Sequence, residues 1–166
     1  MTKHISLLLF FTAPLTLLAA DKPKEVLTGS VVEVTEGDLL TVLVAEKKHV
    51  IRLNAIDAPE DGQPYFKESR DALAKKVKGK KVRVEIIGKD RMEREIGDLF
   101  LEDELINEWL LKEGWAWNFV KYSPSKRFAD IEKKAYDAKK GLWVDPDAEA
   151  PWDYRDRIFK EKHSKK

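Results

Sequence analysis

Apolar positions from about residue 29 onward fall into short runs separated by turn residues, interrupted by three stretches of helical spacing. Val31, Val32 and Val34 predict a first strand, and Thr35-Glu36-Gly37-Asp38 turns the chain. Leu39 to Val44 predicts a second strand, Ala45 to His49 a polar turn, and Val50 to Ile56 a third strand. Lys80 to Ile87 alternates Val82, Val84 and Ile86 against Lys81, Arg83 and Glu85, the period of a half-buried strand. Gly88 to Arg91 turns, and Arg94 to Leu101 carries a fifth strand with Ile96, Leu99 and Leu101 for packing. Helices are predicted from Tyr65 to about Lys78, from about Glu104 to Lys112, and from about Ser125 to Lys140. Gly79, Gly114 and Gly141 stand at their stops. Five strands with about three appended helices predict an α+β, mainly β domain: a five-stranded Greek-key barrel of the oligonucleotide-binding (OB-fold) kind.

At 166 residues the chain has room for one domain with a substantial core. It has no cysteine, so no disulfide supplements that core. Lys and Arg number 31 against 30 Asp and Glu, so no global field marks a polyanion partner, and nucleic-acid binding would need a local patch. Residues 1–20 carry Lys3 and His4, then an apolar run to Leu18-Ala19-Ala20, the layout of a secretory signal peptide. The run is short for a membrane span, which needs about 20 residues. The expected division is signal peptide 1–20, linker 21–28, barrel domain 29–155, and a charged, disordered tail 156–166. The mature product is expected to be secreted or periplasmic, free of the membrane and monomeric, with an uncleaved anchor as the alternative.

The candidate chemistry lies in Arg52-Leu53-Asn54-Ala55-Ile56-Asp57-Ala58-Pro59-Glu60. The strand stops at Pro59, which cannot donate to a sheet ladder, and two carboxylates stand three residues apart at that stop. Carboxylates at a strand end suit a hard cation, and an arginine fork suits a phosphate. Together they suggest phosphodiester chemistry; alone, the stretch also reads as a strand end carrying solvated charges.

Pairing the second and third strands with Val44 opposite Val50 puts Asp38 opposite Ile56 and makes Asp57 its neighbour. Directly opposed residues lie about 5 Å apart between Cα atoms. Arg52 and Asp57, in contrast, would be separated by about 16 Å on a straight strand. They share a site only if the strand coils or bulges.

With these motifs in place, the sequence resembles the thermonuclease (staphylococcal nuclease-like) family from about Val31 to Arg155. Glu36-Gly37-Asp38 resembles its metal-binding turn, Arg52 to Glu60 its best-known motif, and Asp90-Arg91-Met92-Glu93-Arg94 its second arginine loop. Ile106-Asn107-Glu108, Leu111 to Trp117, Gly141-Leu142-Trp143 and Pro151-Trp152-Asp153-Tyr154-Arg155 resemble structural signatures further along. The resemblance implies a calcium-dependent nuclease cutting single-stranded DNA and RNA to 3′-phosphate products. It implies Asp38, Asp57 and the Ala58 carbonyl as Ca2+ ligands, Glu60 acting on the attacking water, and Arg52 and Arg94 on the scissile phosphate. Tyr122 matches a tyrosine of the nucleotide pocket, and Arg91 is a candidate phosphate contact.

The departures bear on substrate grip. Glu36 stands where the family usually has aspartate, and Leu39 replaces the threonine after the metal aspartate. Met92-Glu93 replaces tyrosine-glycine, and Val120 replaces a pocket tyrosine. The alternative function is a non-catalytic nucleic-acid- or protein-binding barrel.

Overall fold

The computed structural model describes residues 23–121 and 124–164. The expected signal peptide and Tyr122 therefore lie outside the described residues.

Strand β1 (Glu25–Glu36) pairs antiparallel with β2 (Leu39–Val44) and, through its first half, with β5 (Lys81–Lys89). β2 continues as a hairpin into β3 (Lys47–Leu53), and β5 pairs antiparallel with β6 (Glu95–Leu101). β3 then meets β6 in parallel, Ile51 opposite Glu95 and Leu53 opposite Gly97, closing the five strands into the barrel. Register shifts in the β1–β2 ladder supply the local coiling such closure needs. The short β7 (Glu104–Leu105) extends the sheet beside β6, while β4 (Ile56–Asp57) pairs with β8 (Trp117–Asn118) in a separate two-stranded ribbon.

Helix α1 (Phe66–Val77) packs on β1, and α2 (Ile106–Lys112) lies against α3 (Lys126–Asp137). The alternating positions of the strands face inward as the pattern required: Val82, Val84, Ile86 and Leu99 are buried with Leu40, Val42, Ile51 and Leu53. Leu73 and Val77 of α1 and Ile106, Leu110 and Leu111 of α2 join the same core. A second cluster holds Trp117, Ala135, Leu142 and Trp143, the last two from a 3-10 turn at Gly141–Val144.

Three expectations are corrected. The second hairpin turns in two residues, with Val44 opposite Lys47, because Ala45 (φ 44°) and Glu46 (φ 69°) take the left-handed conformations of a tight turn. Residues 25–28, assigned to a linker, are strand, because the ladder from Glu25 to Ser30 satisfies their backbone against β5. The tail expected to be disordered is helical through Ser164: α4 (Pro151–Ser164) starts on a buried Pro151, a residue suited to a helix's first turn. No helix among the described residues is long and apolar enough to cross a membrane.

Candidate active site

The site forms at one mouth of the barrel, where the β1–β2 turn meets the chain leaving β3. Gly37 makes that turn possible through close approach. A Cβ there would lie 1.9 Å from Ser69 Oγ on α1 and 2.8 Å from the Ala58 Cβ. The following Asp38 is thereby set in the interior, 2% exposed.

The chain beyond β3 does not run straight. Ala55 sits at φ 62°, and this left-handed turn reverses the direction between Arg52 and Asp57. Asn107 of α2 holds the turn from inside. Its Oδ1 accepts from the Leu99 N–H at 3.0 Å, and its Nδ2 donates to the Asn54 carbonyl at 2.9 Å. β4 then pairs with β8, Asp57 opposite Trp117, which leaves Asp57 1% exposed.

The turn brings the separated charges together. Arg52 Nη2 lies 2.7 Å from Asp57 Oδ1 and 3.2 Å from Asp38 Oδ2. The Ala58 N–H donates to Asp38 Oδ2 at 3.2 Å. Glu60 follows on the loop, its own N–H donating to Gln63 Oε1 at 3.0 Å. The predicted meeting of Asp38 and Asp57 is therefore found, although the hairpin register behind that prediction is three residues off. The Ala55 turn, not the ladder, produces the juxtaposition.

Arg94 is held by Asp90, Nε to Oδ2 at 2.6 Å, and its charge reaches the same mouth, where it acts on Glu36. Arg91 lies exposed on the β5–β6 turn. A residue not assigned to the site from sequence joins it. Arg155 of α4 donates from Nη2 to Asp57 Oδ2 at 2.8 Å and from Nη1 to Asp57 Oδ1 at 3.3 Å, and Nη1 also pairs with Glu60. Its only signal in the sequence was its place in the Pro151 to Arg155 run.

The electrostatics are those of an acid-rich pocket held by guanidinium groups. Burial pushes the Asp38 carboxyl up to about 7 from an ordinary 3.8; Arg52 opposes the shift and Asp57 adds to it. Burial also raises Glu36, as does the Glu60 charge, against Arg52 and Arg94. Among the described residues no group of three or more Asp, Glu, His or Cys side chains is arranged to hold a metal. Asp38 and Asp57 present two buried carboxylates, oxygen donors that fit a hard divalent cation whose remaining ligands would come from the main chain, water and substrate.

Residues 50–145 match the family described as staphylococcal nuclease homologue. The chain belongs to that family. Similar members include the probable staphylococcal-like nuclease CAN1 of Oryza sativa subsp. japonica, 40% identical over 112 residues, or 68% of this chain and 34% of the relative. The staphylococcal-like nuclease CAN1 of Arabidopsis thaliana is 39% identical over 112 residues, 68% of this chain and 35% of its own length. The chain spans about a third of the length of these plant relatives. A protein of Escherichia coli O157:H7 described as an uncharacterized endonuclease is 36% identical over 159 residues, 95% of this chain and 99% of its own.

Proposed function

We propose that the protein is an exported, calcium-dependent nuclease that hydrolyses phosphodiesters of single-stranded DNA and RNA, leaving 3′-phosphate ends. The observation that carries this reading is the sharing of Arg52 between the buried carboxylates of Asp38 and Asp57, the latter three residues before Glu60. Family membership and the relatives described as nucleases support it.

In this reading Asp38, Asp57 and the Ala58 carbonyl hold Ca2+. When bound, the cation supplies Lewis-acid polarisation of a phosphoryl oxygen and neutralises charge that develops there. Arg52 uses one nitrogen on the two carboxylates, and the rest of its five-donor fork serves the scissile phosphate. Arg94 contributes a second guanidinium from the β5–β6 side. Glu60 takes the proton of the attacking water or orients it. Few protein donors mean weak binding of calcium alone, on the order of 10⁻⁴–10⁻³ M as in extracellular modules.

The test is incubation of the purified protein with single-stranded DNA, duplex DNA and RNA, in calcium or in chelator. Cleavage in calcium alone, with 3′-phosphate ends, is the expected result. Binding without cleavage in every condition would leave the barrel as a non-catalytic nucleic-acid-binding module.

A further inference from the structure

The guanidinium of Arg155 does more than dock α4. The helix is held by other groups: Trp152 stacks on Phe119 with centroids 5.5 Å apart, and Pro151 is buried. Gln63 Nε2 donates to the Glu149 carbonyl at 2.6 Å, just before the helix, and the Tyr154 hydroxyl to the Asp61 carbonyl at 3.4 Å. Arg155 instead turns its fork into the site. Arg52 pairs with Asp57 but is shared with Asp38, so Arg155 also balances a second buried carboxylate; that balance accounts for its contact with Asp57 and not for its contact with Glu60. Glu60 has a side chain 29% exposed and needs no ion pair to offset burial. A single planar fork nevertheless spans both, Nη2 on Asp57 and Nη1 between Asp57 and Glu60. A lysine could reach both carboxylates only from one nitrogen, without the parallel donors of the planar fork that fix their relative orientation.

We propose that Arg155 is a positioning residue for the reaction: it fixes the Glu60 carboxylate beside Asp57, so that the group acting on water stands next to the phosphate site. This rests on the nuclease reading above. Arg155 lies outside the stretch that matches the family, 50–145, so the C-terminal helix contributes a part of the site that the matched stretch does not contain. The effect on rate is that of orientation, where a displacement of about 1 Å can cost about 10²-fold.

The test compares wild type, Arg155→Ala, Arg155→Lys, Glu60→Ala and the Glu60→Ala/Arg155→Ala double variant, each checked for folding by circular dichroism and thermal melting. Arg155→Ala is expected to lower kcat about 10²-fold with KM changed less than about threefold. Arg155→Lys should recover only part of the loss, and added guanidinium ion should partly restore Arg155→Ala. In the Glu60→Ala background the second substitution should cost less than about threefold, because Arg155 acts through Glu60. Losses that multiply in the double variant, a rise in KM at constant kcat, or wild-type turnover in Arg155→Ala would each overturn the proposal. If Arg155→Ala does not fold, the same cycle with Arg155→Lys decides it. An inactive wild type would sink the nuclease reading and this inference with it; an active wild type with an indifferent Arg155 sinks the inference alone.

Discussion

The Ala58 N–H reaches Asp38 Oδ2 at 3.2 Å, joining two segments twenty residues apart in the interior of the barrel mouth. The bond ties the β1–β2 turn, which carries Asp38, to the chain leaving β4, which carries Asp57. Disturbance of either segment should therefore move both.

Asp38 should make the protein's stability depend on pH. Its carboxyl is raised to about 7 by burial, so between its ordinary 3.8 and about 7 the folded state keeps a proton that the unfolded chain has released. Stability from this group is present at low pH and lost as pH rises through that window. Urea melts in chelator should show Asp38→Asn gaining on wild type as pH rises toward 7. Calcium should bind more tightly over the same rise, with proton release measurable by calorimetry.

Glu60 and Arg52 should be costly to remove for the reaction. Glu60→Ala should lower turnover about 10²–10⁴-fold, the span for loss of a general base. Arg52→Ala should cost about 10³–10⁵-fold, as for arginines in phosphoryl transfer. Single-turnover cleavage of a fluorogenic oligonucleotide measures both, and unchanged rates would remove the residue from the mechanism.

Gly37→Ala should damage the site through packing. The new methyl would stand 1.9 Å from Ser69 Oγ, whose hydroxyl is committed to the Trp115 carbonyl at 2.7 Å. The turn must lift off α1, at roughly 1–3 kcal/mol by the usual range for overpacking. Asp38 would shift with it, and cleavage should fall about 10²-fold. Denaturation and cleavage assays on the same preparation test the pair of effects.

Asn107→Ala should destabilise through lost hydrogen bonds, among them the Nδ2 contact with Asp98 Oδ1 at 3.3 Å. It leaves the Leu99 N–H and the Asn54 carbonyl without their side-chain partner, at about 1–3 kcal/mol for each buried group left unpaired. Because the Asn54–Ala55 turn carries Asp57 back to Arg52, activity should fall beyond what lost stability explains. Wild-type cleavage in the folded variant would show that the turn holds without this clamp.

The five barrel strands and helices α1 to α3 were legible because alternation in Lys81 to Ile86 and the helical spacing of Phe128, Ile131 and Ala135 are properties of adjacent residues. The Arg52 to Glu60 motif was legible as chemistry for the same reason. The route by which its parts meet was not. A straight strand separates Arg52 from Asp57, and only the left-handed Ala55, a residue with no glycine to announce it, folds them back. The register of the β2–β3 hairpin was likewise hidden, since Ala45 and Glu46 are unusual residues for two positive φ angles in a tight turn.

The sequence by itself determined the barrel class, the residues with acidic and basic chemistry, and the order in which they come. Tertiary structure alone decided that Arg155 belongs beside Asp57 and Glu60. Ninety-eight residues separate Arg155 from Asp57, and nothing local in a charged C-terminal run tells an inward guanidinium from a solvated one. That difference arises only when the docked helix turns one side chain toward a carboxylate that burial has removed from water.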